Sequence, residues 1–177
     1  MKIIRTPRLI IKSLCVDDIS KKYIEWLNDK EVNQYLETRF QVQDNQSCWE
    51  FVKKIQEDAN EELFAIYTKN NNEHIGNCKL GVINKFHHTA EISFFIGNKS
   101  LWGGGYATEV VSHLVRYGFD NLGLEKIMAG CYESNKGSKK VLIKAGFKVE
   151  GFCKEQVVLD NHREGLYKLG ILKNECY

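Results

Sequence analysis

The sequence predicts an α/β fold, α+β in its segregation, built on a mixed central sheet of about seven strands with helices gathered near the N-terminus. Three observations predict it. Residues 63–96 break into three β-rich runs separated by short polar stretches, as an antiparallel meander would. Over 105–119 the apolar residues switch to helical spacing, and 126–132 then returns to strand, which makes a β-α-β crossover. The C-terminal stretch reads as a hairpin about Asp160-Asn161. At 177 residues one hydrophobic core suffices, so a single domain over 1–177 is expected.

Residues 8–14, rich in Leu and Ile after the lone proline Pro7, read as the first strand. Asp17 or Asp18 can cap a helix whose Ile19, Tyr23, Trp26 and Leu27 recur at helical spacing. A short second helix is predicted over 30–36. A third covers 46–60, with Trp49, Val52, Ile55 and Ala59 on its apolar side. Strands follow at 63–68, 74–83 and 89–96, divided by the Asn70-Asn71-Asn72 run and a loop at 84–88. The helix over 105–119 turns Ala107, Val110, Val111, Leu114, Val115 and Gly118 inward. After the strand at 126–132 a short helix over 135–145 ends at Gly146, a residue suited to a left-handed C-terminal cap. Strands 147–159 and 166–172 close the chain.

The balance of 25 basic and 23 acidic residues gives no field that would favour nucleic acid or a membrane surface, and neither is expected as a partner. Six cysteines show no Cys-x-x-Cys spacing, which removes the zinc-ribbon and thioredoxin readings and suggests reduced thiols. The N-terminal residues lack a signal-peptide pattern, and no run of 18 apolar residues occurs. A cytoplasmic protein is expected. His87-His88 lie in a predicted loop with no third ligand at metal spacing, so no metal is expected.

The most informative segment is Ile96-Gly97-Asn98-Lys99-Ser100-Leu101-Trp102-Gly103-Gly104-Gly105-Tyr106-Ala107-Thr108-Glu109, where a strand runs through glycines into a helix. Glycines permit close backbone approach, and the free amides of a helix N-terminus favour phosphate. A Walker A loop would end Gly-Lys-Ser/Thr, whereas this one ends Gly-Tyr-Ala. A dinucleotide fingerprint would follow the first strand of a parallel sheet, whereas this loop follows a meander.

This segment resembles the pyrophosphate loop of the GCN5-related N-acetyltransferase (GNAT) superfamily, in its RimJ/RimL-like branch. The opening Thr6-Pro7-Arg8-Leu9-Ile10-Ile11, Asn135-Lys136-Gly137-Ser138 and Ala145-Gly146-Phe147-Lys148-Val149-Glu150-Gly151 are similar to that branch as well. The resemblance implies a GNAT fold with a β-α-β acetyl-CoA-binding core. It implies that Gly103, Gly104, Gly105, Tyr106 and Ala107, flanked by Trp102 and Thr108, hold the coenzyme diphosphate, and that Asn135 contacts the coenzyme arm.

Amine acetylation needs a proton acceptor, because an ammonium has no lone pair. Glu91 interrupts an apolar strand just before the glycine loop and is either a solvent-facing residue of an alternating strand or the base that the resemblance implies. By the same resemblance, an amide near Phe95 or Ile96 polarises the thioester carbonyl. A tyrosine four residues before the Gly-Phe pair protonates the thiolate in many members, but Leu142 stands there; the resemblance to the RimL-like branch implies instead the serine of its Asn-x-x-Ser motif, here Ser138, as the donor. Asn135 and Ser138 are equally good helix caps. Leu142 also leaves open a non-catalytic acetyl-CoA sensor, against which Glu91 and Ser138 argue.

The segment Trp26-Leu27-Asn28-Asp29 with Val32-Asn33-Gln34-Tyr35-Leu36-Glu37-Thr38-Arg39 is similar to acetyltransferases of nucleotide-linked amino sugars for surface polysaccharides. That likeness implies acceptor contacts from Trp26, Asn28, Asn33, Glu37 and Arg39; the same residues can also make a capped helix pair, with Trp26 in the core. Protein N-termini, polyamines and aminoglycosides are the alternative amines. Monomer and homodimer fit the composition equally.

Overall fold

The computed structural model describes residues 1–176. Its centre is one eight-stranded sheet in the order β1-β2-β3-β4-β5-β6-β8-β7. The strands are β1 (Ile3–Arg5), β2 (Leu9–Ser13), β3 (Glu62–Thr68), β4 (His74–Asn84), β5 (Thr89–Ile96), β6 (Lys126–Tyr132), β7 (Lys148–Leu159) and β8 (His162–Leu172). All neighbours run antiparallel except β5 and β6, which the crossover helix α4 (Tyr106–Asn121) joins in parallel. The mixed sheet matches the sequence expectation and exceeds it by one strand. Ile3–Arg5 folds back on β2, with Pro7 in the turn and the Thr6 amide donating to the Leu9 carbonyl.

Strand alternation sorts the layers. Phe64 and Ile66 face the main core with Val110, Val111, Leu114 and Val115 of α4, whereas Ala65 faces the opposite layer with Leu14 and Val52. That second layer holds α1 (Lys21–Asn28), α2 (Lys30–Asn33) and α3 (Asn45–Glu57). On the α4 side lies α5 (Lys136–Lys144), whose Leu142 joins the main core. Gly118 lets α4 settle on the sheet, since a Cβ there would meet Ile127 at 2.8 Å.

Several local expectations shift. Ser20, not an aspartate, caps α1 by accepting from the Tyr23 amide, and Asp17 and Asp18 fall in a preceding 3-10 turn. The second helix stops at Asn33, and a 3-10 turn over Glu37–Phe40 takes up the chain. In α3 the inward residues are Cys48, Val52 and Ile55; Trp49 is 39 % exposed and stacks under Lys53 instead. The last strand begins at His162, four residues earlier than the apolar run suggests, because hairpin pairing extends through polar positions.

Candidate active site

The site follows from an unfinished ladder. β5 pairs with β4 as far as Gly76↔Ile96, and β6 pairs with β8 as far as Tyr132↔Leu166. Between β5 and β6 the register holds only for Thr89↔Lys126, Ala90↔Ile127 and Glu91↔Met128. Beyond that fork the two strands part, leaving the inner backbone edges of 92–96 and 129–132 along a cleft of about 750 Å³. Buried backbone groups demand partners, so such an edge is a place for water or an extended polar ligand.

The lips of the cleft differ. Ile92, Phe94 and Ile96 of β5 with Ala129 and Cys131 of β6 pack toward α4 and α5. Glu91, Ser93 and Phe95 alternate to the other face, where Phe95 packs against the α1 and α2 cluster. Tyr132 turns the same way, and its hydroxyl donates to Glu37 at 2.7 Å and accepts from Arg39 at 3.0 Å. The Tyr132 phenol is pushed up by burial and further by the Glu37 carboxylate.

On the α4 lip the glycine loop is built for close approach. Gly103 and Gly105 have φ of 76° and 79°, a region that favours glycine, and a Cβ on Gly103 would meet nothing. Gly105 is the N-cap of α4 and offers no side-chain cap, so the first amides of the helix stay free for an anion. The Trp102 indole donates to the Ile96 carbonyl at 2.7 Å and ties the loop to the end of β5. Asn135 caps α5 by accepting from the Ser138 amide at 3.0 Å, so its capping role is present whatever else it does.

Glu91, Phe95, Ile96, Trp102, Gly103, Gly105, Tyr106, Ala107, Thr108, Asn135 and Ser138 all line the one cleft. Gly104 does not; its carbonyl accepts from Arg8 on the outer side. Glu91 is exposed at the fork, and its carboxylate makes no hydrogen bond or ion pair among the described residues. The described residues hold no group of His, Cys, Asp and Glu arranged for a metal, and His87 and His88 are exposed.

The acceptor residues read from the sequence divide. Glu37 lines the cleft. Trp26 is buried, edge-on to His74 and Phe95, and belongs to packing. Asn33 is buried and donates to the Leu27 carbonyl, while Asn28 ties Ile24 and Gln43 together. Arg39 spans from the Leu36 carbonyl to Tyr132 and Val158. Short polar side chains on a helix pair bond to nearby backbone, and Asn28 and Asn33 do so here, as the capped-helix alternative expects. Their neighbours Glu31, Gln34 and Tyr35, and Tyr132 across the gap, line the cleft in their place. The alternation of Ile127, Ala129 and Cys131 with Met128, Gly130 and Tyr132 was the signal that could have found Tyr132. Glu164 is buried and accepts from the Ser134 amide and hydroxyl, so it fixes the turn after β6.

A wedge opened between two parallel strands, with an anion-binding loop on one lip and a free carboxylate at its root, defines an acyltransferase of the coenzyme A type. The acetyltransferase (GNAT) domain matches residues 8–148, and the chain belongs to that family. The N-acetyltransferase YnaD of Bacillus subtilis is 30 % identical over 176 residues, covering 97 % of this chain and 98 % of its own. The N-acetyltransferase p20 of Bacillus licheniformis is 28 % identical over 177 residues, covering 99 % and 98 %. Among solved structures, a GNAT-family acetyltransferase from Bacillus anthracis superposes with a TM-score of 0.84 at 26 % identity, covering 98 % of this chain and 100 % of that one. The spermidine N-acetyltransferase of Vibrio cholerae, solved with CoA and spermine, shares the fold at a TM-score of 0.86 and 22 % identity, over 95 % and 97 %. The chain is thus an acetyltransferase of GNAT type, a family that uses acetyl-CoA. No helix among the described residues is long and apolar enough to cross a membrane.

Proposed function

We propose that this chain works as a single domain of the RimJ/RimL-like branch, transferring acetyl directly from acetyl-CoA to a primary amine, and that the amine belongs to a nucleotide-linked amino sugar. The observation that carries the transfer is the position of Glu91 at the fork of the β5–β6 wedge, on the face opposite the glycine loop. Acetyl-CoA supplies the acetyl group as a thioester already activated toward amines. Trp102, Gly103, Gly105, Tyr106, Ala107, Thr108 and Asn135 hold it, with Lys140 and Lys144 of the same cleft available to its third phosphate. Glu91 receives the ammonium proton, directly or through an ordered water. The bare edge of β5 at Ile96 offers an amide donor to the carbonyl oxygen, and the Ser138 hydroxyl offers one to the departing thiolate. The six free cysteines fit a reducing, cytoplasmic setting.

The sugar assignment rests on the likeness of the 26–39 segment, now through Gln34, Tyr35 and Glu37, which line the cleft with Lys168 as a cation for a nucleotide phosphate. A second reading, a polyamine acceptor, is favoured by the three cleft carboxylates Glu31, Glu37 and Glu91. A mass-spectrometric endpoint assay with acetyl-CoA and nucleotide-linked amino sugars, spermidine, aminoglycosides and N-terminal peptides decides. Product on the amino-sugar nucleotide alone supports the first reading, and product on spermidine replaces it with the second. No product on any amine, with acetyl-CoA bound, refutes transfer to these classes.

A further inference from the structure

The glycine loop is held from behind by residues that touch no part of the cleft's floor. The Arg8 guanidinium donates from Nη1 to the Gly104 carbonyl at 2.9 Å and from Nε to Glu109 Oε2 at 2.6 Å. It also lies 4.1 Å from the centroid of the Tyr106 ring. Glu109 Oε1 accepts in turn from the Arg8 amide at 2.8 Å and from the Thr6 hydroxyl at 2.5 Å. Burial would push the Glu109 carboxyl up, but these donors outweigh it and hold the group below the ordinary glutamate value.

Two consequences follow for the loop. In a trans peptide unit the carbonyl and the next amide point opposite ways, and there are no cis bonds among the described residues. Anchoring the Gly104 carbonyl on Arg8 therefore aims the Gly105 amide away from Arg8, at the side where Gly105 lines the cleft. The second consequence is electrostatic. Glu109 lies in the first turn of α4, where an uncompensated carboxylate would repel an anion bound at the helix N-terminus. Arg8 cancels that charge, so the pair leaves the helix N-terminus without a repelling carboxylate.

We infer that Thr6, Arg8 and Glu109 form a brace that sets the anion-binding conformation of the glycine loop, with Arg8 as a positioning residue for the coenzyme diphosphate. The inference rests on the reading of that loop as the diphosphate site. Its test compares calorimetric affinities for CoA and for pantetheine, which lacks the diphosphate, in wild type, Arg8→Gln and Arg8→Lys. Wild type binds CoA more tightly than pantetheine. Arg8→Gln weakens CoA by about tenfold or more, the range of a lost charge-assisted hydrogen bond, and leaves pantetheine unchanged. Arg8→Lys keeps the charge but not the two-pronged geometry, and recovers part of the loss. Equal losses for both ligands, or wild-type CoA affinity in Arg8→Gln, overturn the brace while the loop reading stands. A wild type that does not distinguish CoA from pantetheine overturns the loop reading and the brace with it.

Discussion

Substituting Gly97 tests how the bare edge of β5 is held in place. Gly97 follows the last residue of β5, and its amide donates to the Ile75 carbonyl at 2.8 Å. It is a glycine for room, not for backbone conformation: its φ lies outside the left-handed region. A Cβ at Gly97 would stand 2.5 Å from Trp26 Cε2 and nearer still to Cγ and Cδ2. Carbon atoms rest about 3.5–4.0 Å apart, so Gly97→Ala demands a relative movement of roughly 1 Å or more. The indole is edge-on to Phe95 at 6.4 Å and to His74 at 5.2 Å, so it has no free direction in which to yield. Overpacking of this kind costs about 1–3 kcal/mol, or a melting temperature lower by roughly 2–12 °C for a chain of this size. Much of the movement falls on Phe95 and Ile96, and a displacement near 1 Å at a positioned donor costs about 100-fold in rate. The assay is kcat and KM beside thermal melts for Gly97→Ala, Trp26→Leu and the double variant. The alanine should cost less in the Trp26→Leu background, where the clash is relieved. Wild-type kcat/KM in Gly97→Ala would refute the claim that Trp26 and Gly97 set the strand end.

Three further outcomes are expected. Glu91→Gln lowers kcat by about 10²–10⁴ while acetyl-CoA affinity is retained, and an unchanged rate would remove Glu91 from the mechanism. Tyr132→Phe removes the hydroxyl that joins Glu37 to Arg39. Steady-state kinetics should show an acceptor KM raised several-fold, from a loss of about 1–2 kcal/mol, with the KM for acetyl-CoA unmoved; an unmoved acceptor KM contradicts the acceptor face. Asp18 sits against burial, which would raise it, yet the Cys15 amide and thiol, Lys12 and Tyr67 bring its carboxyl from 3.8 down to about 2. A depressed carboxyl adds stability above its unfolded value and loses it as pH falls through the folded one. Asp18→Asn should therefore cost about 1 kcal/mol at pH 7, discounted for a partly solvated group, and progressively less in denaturant melts as pH falls from the unfolded value through about 2. A pH-independent cost would show that Asp18 acts by shape alone.

The sequence made the donor side of the molecule legible because that side is written in local signals. A β-α-β crossover and a glycine run at a helix start both declare themselves within a few residues. The acceptor side is assembled from 31–37, from the end of β6 and from the hairpin, so its contacts join residues nearly a hundred positions apart, as Tyr132 and Glu37 do. Asn28, Asn33 and Arg39 carry ligand-like chemistry but satisfy backbone carbonyls close to them in space. Thr6-Pro7-Arg8 was visible as a motif, yet its use is a bond to Glu109 that only the folded β1–β2 turn creates. The edge strand β1 was missed because three residues, of which only Ile4 is half-buried, carry too short a pattern.

The division of labour in the cleft reduces to parity on one strand. Even positions of β5, Ile92, Phe94 and Ile96, are apolar and pack toward the helix that carries the glycine loop. Odd positions, Glu91, Ser93 and Phe95, take the other face, where Phe95 packs against the α1 and α2 cluster and Glu91 and Ser93 are exposed. A slip of one residue would bury the Glu91 carboxylate against Val111 and Leu114 and turn Ile92 and Phe94 outward, at a cost that a chain of this stability does not tolerate. The register with β4, held from Asn84↔Thr89 to Gly76↔Ile96 with an irregularity after Gly81, thus fixes which side chains of β5 take each face of the cleft. β6 stays paired to β8 throughout its length, while its other edge leaves β5 after Met128. The wedge is thus written in the strand pairing, and each lip brings its own chemistry to it.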